Sequence, residues 1–320
     1  MAYELLGTAG MTNGMKQTYS RILLKRAVPN FVHAGHGDKD GIPRSGGRSI
    51  EWRRYERPGA ATTALTEGTP GAATQLTISN VQATIDQYGA YNQFSEVLEM
   101  QNYDPFLASY AGMWGEHMAD TIDILARDIM NAGTTVQFAG GAGSRAQIGG
   151  STGFRINYAE IREAVATLED NDAKGFDDNR FLSIIAPKTK AEIFADSDIL
   201  TSFQNAYDRG ATNPMMTGEI GDFYGIRWLV SSNARVFGSQ GFSGADVYST
   251  LIFGRNWYGE VDYEAMGSRM IVKPVGSSGT SDPLDQMGTH GWKAAYVNVI
   301  TNQNWGLRIE HTVRLADEGV

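Results

Sequence analysis

The chain has no cysteine. Disulfide scaffolds, thiolate metal sites and cysteine nucleophiles are therefore excluded. Proline is scarce, at 9 of 320 residues, so neither a polyproline nor a collagen pattern exists. No run of about 18 apolar residues is present, and no membrane-crossing helix is expected. The opening stretch MAYELLGTAGMTNGMKQTYS lacks a basic region followed by an apolar one, so no secretory signal is expected. Glycine, in contrast, is plentiful at 38 residues, which calls for many tight backbone turns. A hydrophobic share of 42% with 20% charged residues is that of a folded chain. The length allows two domains, or one large domain with extensions.

Charge is distributed unevenly. Residues 1–60 carry ten Lys/Arg against five Asp/Glu, while the remainder carries 17 against 31, so a basic arm of +5 precedes a body of −14. Such a dipolar chain can bind nucleic acid or the acidic body of a neighbouring copy. The acidic body argues against a protein that touches phosphate over its whole surface.

Residues 12–27 read as a short helix stopped by Pro29, and the polar, turn-rich stretch 33–47 is expected to hold no core. Ser49–Glu56 and Leu76–Ile85 read as the arms of a long β-hairpin with a glycine-rich tip near Leu65–Pro70. Extended aromatic character continues through Tyr88, Tyr91 and Phe94. The Trp52–Arg57 stretch has too little apolar surface for a buried strand and is expected to project. Asp104-Pro105 is an N-cap followed by proline at the first helical position. From there Phe106, Tyr110, Met113, Trp114, His117, Ile122, Leu125, Ile129 and Met130 recur at three- and four-residue steps, with Asp120, Asp123 and Asp128 off the stripe. This predicts a helix over 104–132, roughly 40 Å long at about 1.5 Å per residue, ended by Gly133. Asn157 caps a second helix through Leu168, with Glu160 at the capping-box position. Phe181–Ala186 reads as a short buried strand, and Pro187 opens another helix. A further short helix is read at 198–207. Strands follow at Phe223–Val230, Val247–Phe253, Met270–Val275, Ala294–Ile300 and Leu307–Val313. The class is α+β with mostly antiparallel strands and no regular βαβ alternation.

No catalytic or metal constellation stands out. Gly141-Ala142-Gly143-Ser144-Arg145-Ala146 matches a dinucleotide-binding pattern, but more glycine loop follows where a helix is required. Gly149-Gly150-Ser151-Thr152-Gly153 matches a nucleophile elbow without the strand and helix that make one, leaving a Ser151-dependent hydrolase as a weak alternative. His33, His36, Asp38 and Asp40 are residue types that suit zinc or manganese, yet the surrounding glycines read as a polar linker. Glu96/Glu99 and Glu116/Asp120 read as solvated helix faces rather than an acid–base pair. His117 reads as a core or interface histidine. The basic cluster Arg44, Arg48, Arg53, Arg54 and Arg57 interleaves with Trp52 and Tyr55. It would suit stacking on single-stranded nucleic acid, but pairing with a neighbour's acidic body is the expected role. Glu67, Asp104 and Trp114 complete the candidate intersubunit residues. No cofactor is expected.

A basic arm, a projecting hairpin, one long helix and no active site describe a subunit built to hold its neighbours. Leu65-Thr66-Glu67-Gly68-Thr69-Pro70-Gly71, Leu76-Thr77-Ile78 and Gln87-Tyr88-Gly89-Ala90-Tyr91 resemble the hairpin region of a family of tailed-phage major capsid proteins. This is the podovirus-type family related to the capsid protein of the N-four-like coliphages. Gly218–Arg227 and Asp282–Lys293 are similar to that family's segment leading into a central strand and to its C-terminal signature. The resemblance implies the Hong Kong 97-type fold. On it, residues 1–40 are an N-terminal arm, 41–95 the extended loop and 96–160 the P-domain with its spine helix over 104–132. Residues 161–254 are the A-domain, and 255–320 are P-domain strands returning to the A-domain. It further implies hexamers and pentamers closing into an icosahedral shell around double-stranded DNA, assembled in the host cytoplasm. A portal is implied, with a scaffold or decoration protein as further partners and no membrane. An encapsulin-type compartment of the same fold is the alternative.

Overall fold

The computed structural model describes residues 31–43, 46–56, 58–64, 67–68, 71, 73–101, 106–149, 152–176, 179–201, 221–263, 269–277 and 282–314. The 12–27 helix, Arg44, Arg57, Asp104, Ser151 and the second half of the 198–207 helix lie outside these residues.

Two sheets share the long helix. The first is five-stranded. Its centre is β13 (Met287–Ile300), whose first half is flanked on one side by β4 (Asp86–Ser95) and on the other by β12 (Arg269–Lys273). The second half of β13 pairs with β11 (Tyr258–Tyr263), and β1 (Asp38–Ile42) adds to β11 in parallel. The second sheet is seven-stranded. Its path runs β5 (Val136–Phe138), β14 (Gly306–His311), β10 (Val247–Phe253), β6 (Phe181–Ile185), β8 (Ile226–Val230) and β7 (Asp222–Phe223), with β9 (Val236–Phe237) paired to β10. All residues of β6, β10 and β14 are buried, because this sheet is covered on both faces. One face carries α3 (Tyr158–Asp170) and α4 (Pro187–Ala195), which contribute Ile161, Leu168 and Ile193 to the core. The other carries Met130, Trp257 and Tyr258. A two-stranded sheet, β2 (Ser49–Tyr55) with β3 (Ile78–Thr84), stands apart. A six-residue helix, α1 (Glu96–Gln101), precedes the long helix α2 (Phe106–Met130).

Helix α2 buries Ile122, Ala126 and Met130, one turn apart, with Trp114, Met118 and Leu125 half-buried beside them against β13. Its C-terminal end is tied to the second sheet. Arg308 Nη1 donates to the carbonyls of Asn131 and Gly133, which capping would otherwise leave unsatisfied, and Ser249 donates to Asn131 Oδ1 at 2.6 Å. The long helix thus bridges the two sheets as a rigid element.

Several expectations change. The polar stretch 33–47 is not coreless: His33, Ala34 and Ile42 are buried and β1 is a sheet strand. Asp123 is buried at 1% exposure, whereas Met113 and Ile129 from the expected stripe are exposed. The hairpin ends at Thr84, because Ile85 turns into the core and the chain from Asp86 joins β13 instead. Tyr224 and Gly225 both have positive φ, 53° and 70°, so Phe223–Val230 is a tight hairpin turn rather than one strand. Asn157 caps α3 as expected, but Glu160 reaches Gln137 and the Gly140 N–H instead of closing a capping box. Among the described residues the strand pairs are mostly antiparallel, as expected, and three are parallel.

Candidate assembly surface

The hairpin has a root seated on the body and a tip that is bare. At the root, Ile50 and Trp52 pack on Ile42, Ile85, Val261 and Ala295. Trp52 is half-buried against Gly259 of its own chain, so part of the expected intersubunit aromatic is an internal anchor. Arg48 likewise pairs with Asp86 of its own chain. Beyond Trp52 the side chains leave the core. Tyr55 is 71% exposed and Ile78, opposite it in register, is 53% exposed, with Leu76 at 70% just past the paired region. An aromatic–aliphatic cross-strand pair is good sheet chemistry, but nothing among the described residues covers it. Arg53 and Arg54 flank the pair, with exposed contacts to Glu51 at 3.3 Å and Glu56 at 3.7 Å. Such contacts contribute little in water and are readily exchanged. Glu67 is exposed at the tip, beside Gly68 with φ of 79°.

A second bare patch has the opposite charge. On α1, Val97 and Met100 are 53% and 74% exposed while Leu98 is buried under the helix. Glu96 and Glu99 stand on the same short helix. Gln286 accepts from the Glu96 N–H at 2.9 Å, which brings the 282–286 turn alongside with Leu284 74% exposed and Asp285 exposed. One patch is apolar and basic, the other apolar and acidic. Of the other candidates, Trp114 is half-buried edge-on to His117 on α2, a position within the subunit's own helix–sheet packing.

The chain enters this body through a clasp built from residues 32–37. Asp123 Oδ1 accepts from the N–H groups of Val32, His33 and Ala34, and its Oδ2 accepts from His33 Nδ1 at 2.9 Å. Burial alone would raise the Asp123 carboxyl, but the His33 hydrogen bond and attraction, with the backbone N–H groups, outweigh it and hold it at about 2. Glu260 accepts from the Gly35 and Gly37 N–H groups, and the Tyr258 hydroxyl donates to the His33 carbonyl at 2.6 Å. Burial and the nearby Glu260 push the Tyr258 phenol well up. His33 is thus a buried core residue tied through Nδ1 to Asp123, and His36 lies beside it; no cluster of three metal-ligating side chains forms among the described residues. Sequence reading missed Asp123, Tyr258 and Glu260, whose partners lie 89 or more residues away.

The basis for a functional reading lies in two observations: a hairpin whose apolar tip is bare, and a sequence match. Residues 79–306 match the phage capsid protein family, well over half of the chain. The chain belongs to that family. It is a major capsid protein, and neither the encapsulin-type compartment nor the hydrolase is favoured. Solved structures of similar fold include the capsid of Ralstonia phage GP4, with a TM-score of 0.73 at 13% identity over 95% of this chain and 96% of that one. The capsid of cyanophage P-SCSP1u gives 0.71 at 14% identity over 93% and 92%. The acid-stable capsid of Helicobacter pylori bacteriophage KHP30 gives 0.63 at 9% identity over 85% and 86%. No curated protein matches. The fold is the Hong Kong 97 type, and the protein's place is the virion capsid, where it assembles with copies of itself.

Proposed function

We propose that this capsid protein forms hexamers and pentamers by laying the tip of its hairpin on the α1 patch of an adjacent copy. Tyr55, Leu76 and Ile78 cover Val97, Met100 and Leu284, while Arg53 and Arg54 meet Glu96, Glu99 and Asp285. The observation that carries this reading is the bare Tyr55–Ile78 pair, flanked by Arg53 and Arg54, on a hairpin anchored at its root. Because donor and acceptor patches lie on different parts of one chain, the contact is head-to-tail and generates rings when the rotation closes. Many such contacts sum to a stable shell while each remains reversible.

In this reading residues 41–95 act as the extended loop and 1–40 as an N-terminal arm, whose last residues, 32–40, are fastened to its own subunit. The P-domain comprises 96–160, the A-domain 161–254, and residues 255–320 supply P-domain strands and then return to the A-domain. The shell encloses double-stranded DNA in a phage of the N-four-like podovirus type. It assembles in the host cytoplasm with a portal and a scaffold or decoration protein, and performs no catalysis. Electron microscopy of the purified chain tests the reading: closed shells or capsomers are expected. The Tyr55→Asp/Ile78→Asp variant should remain folded and dispersed; shells of normal yield from that variant overturn the docking.

A further inference from the structure

Trp292 Nε1 lies 3.0 Å from His117 Nδ1. An indole N–H only donates, so Nδ1 must carry a lone pair and the neutral ring keeps its proton on Nε2. The pair joins α2 to β13. The Trp292 indole is 3% exposed and packs among Ile122, Ala126 and Ala294, while the His117 ring lies 5.4 Å from Trp114 and 5.7 Å from Trp292, centroid to centroid. Yet His117 itself is exposed. A second proton arriving from solvent has one place to go, the nitrogen that Trp292 occupies. The ring would then present N–H to N–H, and a buried indole donor would lose its partner.

We infer that His117 and Trp292 form a proton-operated latch between the spine helix and the central strand of the five-stranded sheet, closed with neutral imidazole and opened by the imidazolium. The other histidines lack this combination. His33, His290 and His311 are buried, and His33 faces a carboxylate that accepts from its ring in either charge state. His36 is half-buried among Glu260, Arg227, Lys39 and His33. Around His117, α2 carries Glu116 and Asp120, of which Asp120 accepts from Asn233. Strand β13 brings Lys293 and Tyr296 beside and beyond Trp292, β4 brings Tyr88, and β12 ends in Arg269 and Lys273. No carboxylate is hydrogen-bonded to the His117 ring among the described residues, so nothing there compensates the lost bond. The latch acts inside one subunit and stands whether or not the hairpin docks as proposed.

Hydrogen–deuterium exchange on the full-length protein tests it, at pH 7.5 and 5.5, with rates corrected for the pH dependence of the exchange chemistry. In the wild type, protection of peptides covering 112–125 and 288–296 should fall about fivefold at the lower pH, the scale of one lost hydrogen bond. His117→Gln keeps an acceptor at both pH values, and its protection should change by less than about twofold. The remaining histidines are present in both proteins, so an equal fall in the variant overturns the latch. If His117→Gln does not fold, Trp292→Phe decides: it removes the donor, so a flattened pH response supports the latch and an undiminished one overturns it.

Discussion

The indole of Trp52 lies directly on the backbone of Gly259: a Cβ at position 259 would come within 2.9 Å of Trp52 Cζ2. This close approach sets the angle at which the hairpin leaves the body. Gly259→Ala should force the indole aside at a cost of about 1–3 kcal/mol, the scale of overpacking. Its melting temperature should drop, and shell yield should fall more than stability alone explains, because the tip is re-aimed. A variant that melts lower but assembles normally at 20 °C below its midpoint would show that hairpin angle is unimportant.

Charge on the two bare patches makes a reciprocal prediction. Arg53→Glu/Arg54→Glu should slow assembly by about tenfold at low ionic strength, since acid then faces acid. Adding Glu96→Lys/Glu99→Lys should restore much of the rate. Light scattering during assembly reads both. The difference should shrink as salt rises toward 0.5 M, where screening is short-ranged.

Local signals in the sequence survive well in the structure. The 3.6-residue period of 106–130, the Asn157 cap, Pro187 at a helix start and the apolar runs 181–186 and 247–253 depend on neighbours a few residues away. The alternation of 76–85 and the glycine-rich tip marked the hairpin, but not that Trp52 would turn inward. That depends on a glycine 207 positions later. Strand β1 was hidden for a similar reason. DKDGI has no apolar alternation, and only parallel pairing with β11 makes it a strand. Asp123 looked like a solvated helix residue, because the three N–H groups that hold it come from residues 32–34. The acidic α1 patch was visible as Glu96/Glu99, but its apolar partner Leu284 is brought alongside only by the Gln286–Glu96 hydrogen bond.

Glu310 is fully buried and serves two cations. Arg145 meets it through Nε and Nη2 at 2.7 Å each, and Arg308 Nε meets it at 2.8 Å. Both guanidiniums, with that of Arg235, sit within 5.8 Å of the Phe237 ring centroid. Glu310→Gln should destabilise by about 3–5 kcal/mol, because it leaves two neighbouring cations short of a counter-charge. Asp128→Asn, at a site 48% exposed and paired with Arg127 and Arg235, should cost less than about 1 kcal/mol. Denaturant midpoints at constant slope compare them, and equal losses would mean that Glu310 does not hold the junction.

Two buried groups divide the acid response into separate pH windows. His311 is fully buried between Thr250 and its own backbone, and burial lowers its imidazole to about 4 although the Thr312 carbonyl opposes this. Its folded-state value lies below the ordinary 6.5, so the unfolded chain takes up the proton first. Stability from this site is complete above pH 6.5 and is lost as pH falls toward 4, by about 3 kcal/mol in all. Asp123, held at about 2 against an ordinary 3.8, keeps its contribution until pH falls below 3.8 and loses it only toward 2. Asp123→Asn should therefore cost about 2 kcal/mol at pH 7, nearly the same at pH 5, and nothing below pH 2. His311→Gln should flatten the stability profile between pH 6.5 and 4 while leaving the Asp123 window in place. Urea unfolding of the full-length protein across pH 2 to 7.5 reads both windows. An Asp123→Asn deficit that shrinks between pH 7 and 5 would mean that the clasp at residues 32–34 is not held by an ionised carboxylate.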